Sequence, residues 1–166
     1  AVQALQSAPP VVVKEGEKPA ESPQHATLEH VAKQLKDEYP GTTYAVMAAL
    51  QLARDRVEAG NAAEAEKELR WALEQKPDEA LALIVNMRLA RVLAMKGEAD
   101  NAIKLLESLK PGAQRGELEE IRGDIYLGKG DVAKAREAYQ AGMNAAGESN
   151  TRSLLKTKLD DLAVAE

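Results

Sequence analysis

From Gln24 onward, apolar residues recur every three or four positions, the period of a helix that buries one side. Leu28, Val31, Ala32 and Leu35 make the first such stripe, which Pro40-Gly41 closes. Thr42 or Thr43 is placed to cap a second helix, carried by Tyr44, Met47, Ala48, Leu50, Leu52 and Ala53 to about Ala59. Gly60-Asn61 turns the chain into a third, which Pro77 stops. Asp78 caps a fourth, through Leu81, Ile84, Val85, Met87 and Leu89 to Lys96, and Gly97 breaks it. A fifth holds Ala102, Leu105, Leu106 and Leu109 and stops at Pro111-Gly112. The sixth ends at Gly128-Lys129-Gly130, the seventh runs from Asp131 to about Ala146, and the eighth follows Asn150 with Leu155, Leu159 and Leu162 on one side. The pattern predicts an all-α chain of eight helices.

The first 23 residues read differently. They hold Pro9, Pro10, Pro19 and Pro23 among Ala, Glu, Lys and Ser, a composition that favours an extended, solvated linker. Val11, Val12 and Val13 are a loose apolar run within it. The expected organisation is a linker over residues 1–23 and a folded domain over 24–166.

Short helices with short breaks invite a search for an internal period. Three segments align on their turns. Gly60-Asn61 precedes Ala65, Leu69, Ala72 and Pro77; Gly97-Glu98 precedes Ala102, Leu106 and Leu109; Gly130-Asp131 precedes Ala135, Tyr139 and Gly142. Each places Ala five residues after the glycine and a large apolar residue four further on. The third also has Gly123-x-x-Tyr126 ahead of its turn. A small residue lets the two helices of a hairpin approach, the bulky one fills the gap to the next hairpin, and glycine turns the chain with positive φ. These features resemble the tetratricopeptide repeat, whose period of about 34 residues is bracketed by the glycine spacings. The resemblance implies a right-handed α-solenoid of helical hairpins, here with an additional N-terminal helix and a C-terminal capping helix.

Composition agrees with close-packed helices. Phe is absent and aromatics total 3%, so the 45% apolar content is mostly Ala, Leu, Val and Met. A net charge of −5 and no basic stripe argue against a nucleic-acid surface. No Cys is present, which excludes disulfides and thiolate metal sites. No apolar stretch reaches the roughly 18 residues of a membrane span. The chain begins at Ala1 without Met, and is expected to be a piece of a longer protein whose targeting signal precedes it.

Catalytic chemistry finds little support. Gly123-x-x-x-x-Gly128-Lys129-Gly130 is one residue short of a phosphate-binding loop, and glycine stands where a Mg²⁺-binding hydroxyl belongs. The segment before it reads as helix rather than strand, so a turn is expected. His25 and His30 are five apart and diverge on a helix, against the four-residue spacing of metal pairs. Glu119-Glu120 and Asp160-Asp161 are adjacent pairs that suit solvated faces. No nucleophile sits in a recognisable elbow. No enzyme activity, cofactor or metal is expected.

In hairpin stacks the first helix of each pair lines the concave side. Counting back from the turn glycines gives Met47, Leu50 and Arg54; Ile84, Met87 and Arg91; and Glu117, Glu120 and Asp124. The first two sets are apolar with a terminal arginine, and the third is acidic. Flexible Met surfaces accept varied peptides, and Arg pairs with carboxylates. The same apolar residues could equally be core, with Arg91 pairing to Asp124 on the next hairpin. Lys and Asn are absent from the positions a carboxylate-clamp groove needs, which disfavours a C-terminal EEVD-type ligand.

Three runs carry a closer resemblance: Tyr44 to Ala53 (YAVMAALQLA), Asn86 to Val92 (NMRLARV) and Leu118 to Asp131 (LEEIRGDIYLGKGD), followed by Ala135, Arg136, Ala138 and Tyr139. In this order and spacing, over about residues 26 to 163, the chain resembles the YfgM family of ancillary SecYEG translocon subunits. The resemblance implies a bacterial inner-membrane protein with a short cytoplasmic tail, one transmembrane helix missing here, and this domain in the periplasm. It implies a non-enzymatic adaptor with the SecYEG translocon and the membrane-anchored chaperone PpiD as partners. Unfolded translocating polypeptides would be handed on to periplasmic chaperones. Pro9-Pro10 departs from the family, breaking what would otherwise be a helix after the membrane span. Rival expectations are another tetratricopeptide scaffold for envelope-complex assembly, or a cytosolic co-chaperone adaptor.

Overall fold

The computed structural model describes residues 23–147 and 149–164. The linker expected over residues 1–23, Val11–Val13 included, lies outside the described residues up to residue 22; Pro23 opens the first helix. The described residues form α1 (Pro23–Glu38), α2 (Thr43–Glu58), α3 (Ala62–Glu74), α4 (Glu79–Met95), α5 (Ala99–Glu107), α6 (Arg115–Gly128), α7 (Val132–Ala145) and α8 (Asn150–Val164), with a 3₁₀ turn at Gly112–Gln114. Among them there is no strand. Helices α2–α3, α4–α5 and α6–α7 are hairpins, α1 packs on α2, and α8 packs on α7 and α6. This is an all-α, tetratricopeptide-like solenoid.

The three hairpin turns are built alike. Gly60, Gly97 and Gly130 have φ of 73°, 84° and 78°, the left-handed region that side chains disfavour. The next residue in each case sends its N–H back five positions. Asn61 bonds Arg56 O at 2.7 Å, Glu98 bonds Leu93 O at 2.9 Å and Asp131 bonds Tyr126 O at 2.9 Å. That is the Schellman closure of a helix C-terminus, which satisfies carbonyls the helix leaves open. Asn61 and Asp131 then cap the following helix through their side chains, as Asp78 does for α4 and Thr42 for α2. Five residues past each turn glycine, Ala65, Ala102 and Ala135 are fully buried; four further on, so are Leu69, Leu106 and Tyr139. The repeat read from spacing is therefore a repeat of turn geometry and of packing.

One core runs from Val46 on α2 to Ile125 on α6, and a smaller one joins Ala135 and Tyr139 to Leu155 and Leu162 of α8. Tyr126 packs against both. The α6–α7 pair is the closest. A Cβ at Gly123 would strike the Tyr139 ring, and one at Gly116 would lie 2.9 Å from Ala146 Cβ. Ion pairs tie successive hairpins on the outside. Lys96 at the end of α4 reaches Glu66 of α3 at 2.5 Å, and Lys129 at the end of α6 reaches Asp100 of α5.

Two expectations need correction. The α1 stripe is narrower than read: Ala32 is buried and Leu35 half-buried, but Val31 is exposed. Part of α1's docking is instead polar, through Glu29–Arg56, Lys36–Glu68 and Lys36 lying 4.5 Å from the Trp71 ring centre. Helix α5 ends at Glu107, four residues before Pro111, because the chain tightens into the 3₁₀ turn.

Candidate protein-binding surface

The first helices of the hairpins, α2, α4 and α6, line the inner side of such a stack, and α8 takes the next place in the row. On α2 the exposed stripe is Tyr44, Met47, Gln51, Arg54 and Glu58; Tyr44 and Met47 show 77% and 54% of their surface. Two bonds within the helix steady it: Gln51 donates to Asp55 at 2.9 Å and Arg54 to Glu58 at 2.8 Å. On α4 the stripe is half-buried Ile84 followed by exposed Arg88, Arg91 and Met95. On α6 it is Asp124 and Leu127.

The residues expected from the sequence divide between surface and core. Met47, Arg54, Arg91 and Asp124 are exposed, and Ile84 and Glu117 half-buried. Leu50 and Met87 belong to the core at 4% and 2% exposure, and Glu120 is buried. The reason is rotation. At about 100° per residue, Leu50 and Met87 lie about 60° round the helix from Met47 and Ile84, past the edge of the exposed stripe, and join the core. Tyr44, Gln51 and Arg88 hold the exposed places that the counting missed; the steps 44–47–51–54 and 84–88–91–95 carried that signal.

The acidic set on α6 is occupied from within. Lys158 of α8 donates to Asp124 Oδ1 and Oδ2 at 2.6 and 2.8 Å and to Glu120 Oε1 at 2.8 Å, and sits 5.5 Å from the Tyr139 ring centre. The Tyr139 hydroxyl donates to Asp124 at 2.7 Å. Arg91 pairs with Glu120 at 4.0 Å rather than with Asp124. Burial alone would lower the Lys158 pKa, but the bonds to Asp124 and Glu120 outweigh it and hold the ammonium above its usual range. Burial, and then the bond to Asp124, raise the Tyr139 phenol well above its ordinary value. On exposed Arg54 the Glu58 bond raises the pKa.

The carboxylates Glu119 and Glu120, expected on a solvated face, are both buried. Glu119 lies between Arg122 at 2.7 Å and Arg115 at 3.8 Å, against Gly142 of α7; Glu120 is turned to Lys158. Asp160 and Asp161 are exposed as read. The phosphate-loop lookalike is a helix and a turn: Gly123 packs on Tyr139, Gly128 ends α6, and Gly130 takes positive φ. Among the described residues no group of three His, Asp or Glu could hold a metal ion. None of the described helices is long and apolar enough to cross a membrane.

A family described as a tetratricopeptide repeat-like domain matches residues 7–164. Relatives named ancillary SecYEG translocon subunit match in several bacteria. The protein of Escherichia coli K12 is 31% identical over 122 residues, 74% of this chain and 59% of that protein. The protein of Aggregatibacter actinomycetemcomitans is 35% identical over 121 residues, 73% of this chain and 59% of its own. That of Haemophilus influenzae is 33% identical over 121 residues, with the same shares covered. The chain thus spans 59% of the length of these curated relatives. No solved structure matches it. The chain belongs to the tetratricopeptide repeat-like domain family, and its homologues are ancillary SecYEG translocon subunits of the YfgM kind.

Proposed function

We propose that this domain is a non-enzymatic adaptor that works with the Sec translocon at the bacterial inner membrane and captures protein partners on the exposed faces of α2 and α4. The observation that carries the reading is the division of the inner row. The α6 carboxylates are spent on Lys158, whereas the α2 and α4 faces present Tyr44, Met47, Arg54, Arg88, Arg91 and Met95 to solvent. Exposed aromatic and Met side chains beside arginines are the residue types that anchor polypeptides. Homologues named as translocon subunits supply the setting. In this reading the domain faces the periplasm, held by a membrane helix ahead of it, with the linker over residues 1–23 between them. Its partners are SecYEG, the chaperone PpiD and unfolded polypeptides emerging from the translocon, which it passes to periplasmic chaperones.

Photo-crosslinking in cells tests it. A crosslinker at Met47 or Arg91 is expected to trap translocon or chaperone partners, while one at buried Met87 traps none. Reversing the charge of Arg54 and Arg91 together is expected to weaken capture with the circular-dichroism melt intact. Loss of the melt would make both arginines structural. Crosslinks from α8 or α3 alone, with none from α2 or α4, would end the assignment.

A further inference from the structure

The α4 face carries charge that the rest of the fold leaves open. Arg88 and Arg91 are three positions apart, so they lie one above the other on the same helix face. Arg88 is exposed and has no ion-pair partner among the described residues. Arg91 reaches Glu120 only at 4.0 Å, and Glu120 already accepts a 2.8 Å hydrogen bond from Lys158. Arg91 can therefore turn to another anion while Glu120 keeps its partner. On α6, Asp124 and Glu120 both accept hydrogen bonds from Lys158. In a chain of net charge −5, an unpaired arginine beside one held only by a 4.0 Å contact runs against the surface as a whole. Apolar groups share this side of the hairpins: Ile84 and Met95 on the same α4 stripe, and exposed Tyr44 and Met47 on α2.

We infer that Arg88 and Arg91 receive carboxylates of an acidic segment of the partner polypeptide, whose apolar side chains rest on Ile84, Met95, Tyr44 and Met47. The inference rests on α2 and α4 being the binding face and names the chemistry of what binds there. A guanidinium fork matches a carboxylate with two parallel N–H···O bonds, which an amide cannot accept with the same strength. A lysine-rich segment would be repelled. Nucleic-acid phosphates share the anionic chemistry but would meet the acidic remainder of the surface.

The test is fluorescence anisotropy with the full chain and four labelled probes. These are a short peptide of Glu interspersed with Leu and Tyr, its Gln counterpart, its Lys counterpart, and a short single-stranded oligonucleotide. The Glu peptide is expected to bind about tenfold more tightly than the Gln peptide at low salt, with the margin shrinking as salt rises. Arg88→Glu with Arg91→Glu should erase that margin while leaving the melt unchanged, and Arg88→Gln alone should reduce it. Because Arg88 has no partner to lose, the single variant keeps the test valid even where the double one unfolds. Equal binding of Glu and Gln peptides, both abolished by Met47→Glu, would overturn the charge assignment and leave the binding face standing. Preference for the Lys peptide or the oligonucleotide would overturn it as well. Binding of no peptide at all would overturn both readings.

Discussion

Adding one methyl group at Gly123 separates the packing account of this solenoid from a purely helical one. Gly123 is buried in the middle of α6, where alanine is the better helix former by about 1 kcal/mol. Propensity alone therefore predicts that Gly123→Ala stabilises. The structure predicts the reverse, because the new Cβ would overlap the Tyr139 ring, with even Cζ only 3.0 Å away. Tyr139 cannot retreat cheaply. Its ring is fully buried and its hydroxyl is held by Asp124 at 2.7 Å. Overpacking of this kind costs about 1–3 kcal/mol, and this overlap falls at the upper end. The net loss is then about 1–2 kcal/mol, a drop in melting temperature of roughly 3–8 °C for a chain of this size. Gly128 is the control: it ends the same helix, and a Cβ there meets nothing within 4 Å. Gly128→Ala should leave stability unchanged or raise it by about 0.5 kcal/mol. Thermal melts of both variants by circular dichroism check the pair. A Gly123→Ala protein as stable as the parent would refute the claim that α6 and α7 meet through this glycine.

Three further outcomes follow from the same contacts. Lys158→Met should lower stability by about 1–3 kcal/mol, since buried Glu120 keeps only Arg91 at 4.0 Å, and an unchanged melt would show that α8 is held by its leucines alone. Lys158 and Tyr139 both have raised pKa values in the fold, so their contribution is complete below their ordinary values of 10.5 and 10.0 and is lost as pH climbs past them; melting temperature should fall above about pH 10, and by less in the Lys158→Met protein. Met47→Ala should change stability by under about 0.5 kcal/mol, whereas Met87→Ala should cost about 2–4 kcal/mol, and denaturant titration of the two variants reads the difference between an exposed and a core methionine directly.

What the sequence made legible is what local chemistry decides. A turn glycine, an alanine five on and a large side chain four beyond that are short-range rules, and the turns at Gly60, Gly97 and Gly130 obey them; Asn61 and Asp131 add a side-chain cap that Glu98 does not. The binding face was half legible for a physical reason. Spacing says which residues share a helix side but not which side meets the next hairpin, so Met47 and Met87 read alike although one is exposed and the other buried. The buried carboxylates were not legible at all. Glu119 and Glu120 look like a solvated pair until α7 and α8 cover them, and the lysine that answers Glu120 lies 38 residues away. Only tertiary contact carries that information.

The same row of helices has to hold α8 in place and recognise partners, and its charges divide the two tasks. A helix at the edge of a solenoid buries one side and leaves the other to water. Helix α8 does so, with Arg152, Ser153, Lys156, Thr157, Asp160 and Asp161 exposed and Leu155 and Leu162 turned inward. Lys158 then fixes the position of α8 by drawing on the carboxylates of α6. What remains unanswered at the other end of the row is positive and apolar. The lysine that holds α8 against α6 therefore also sets the sign of the surface left for binding. Replacing Lys158 should accordingly do more than loosen α8: it frees Glu120 and Asp124 to compete for Arg91, and an acidic ligand should bind the Lys158→Met protein more weakly even where the fold survives.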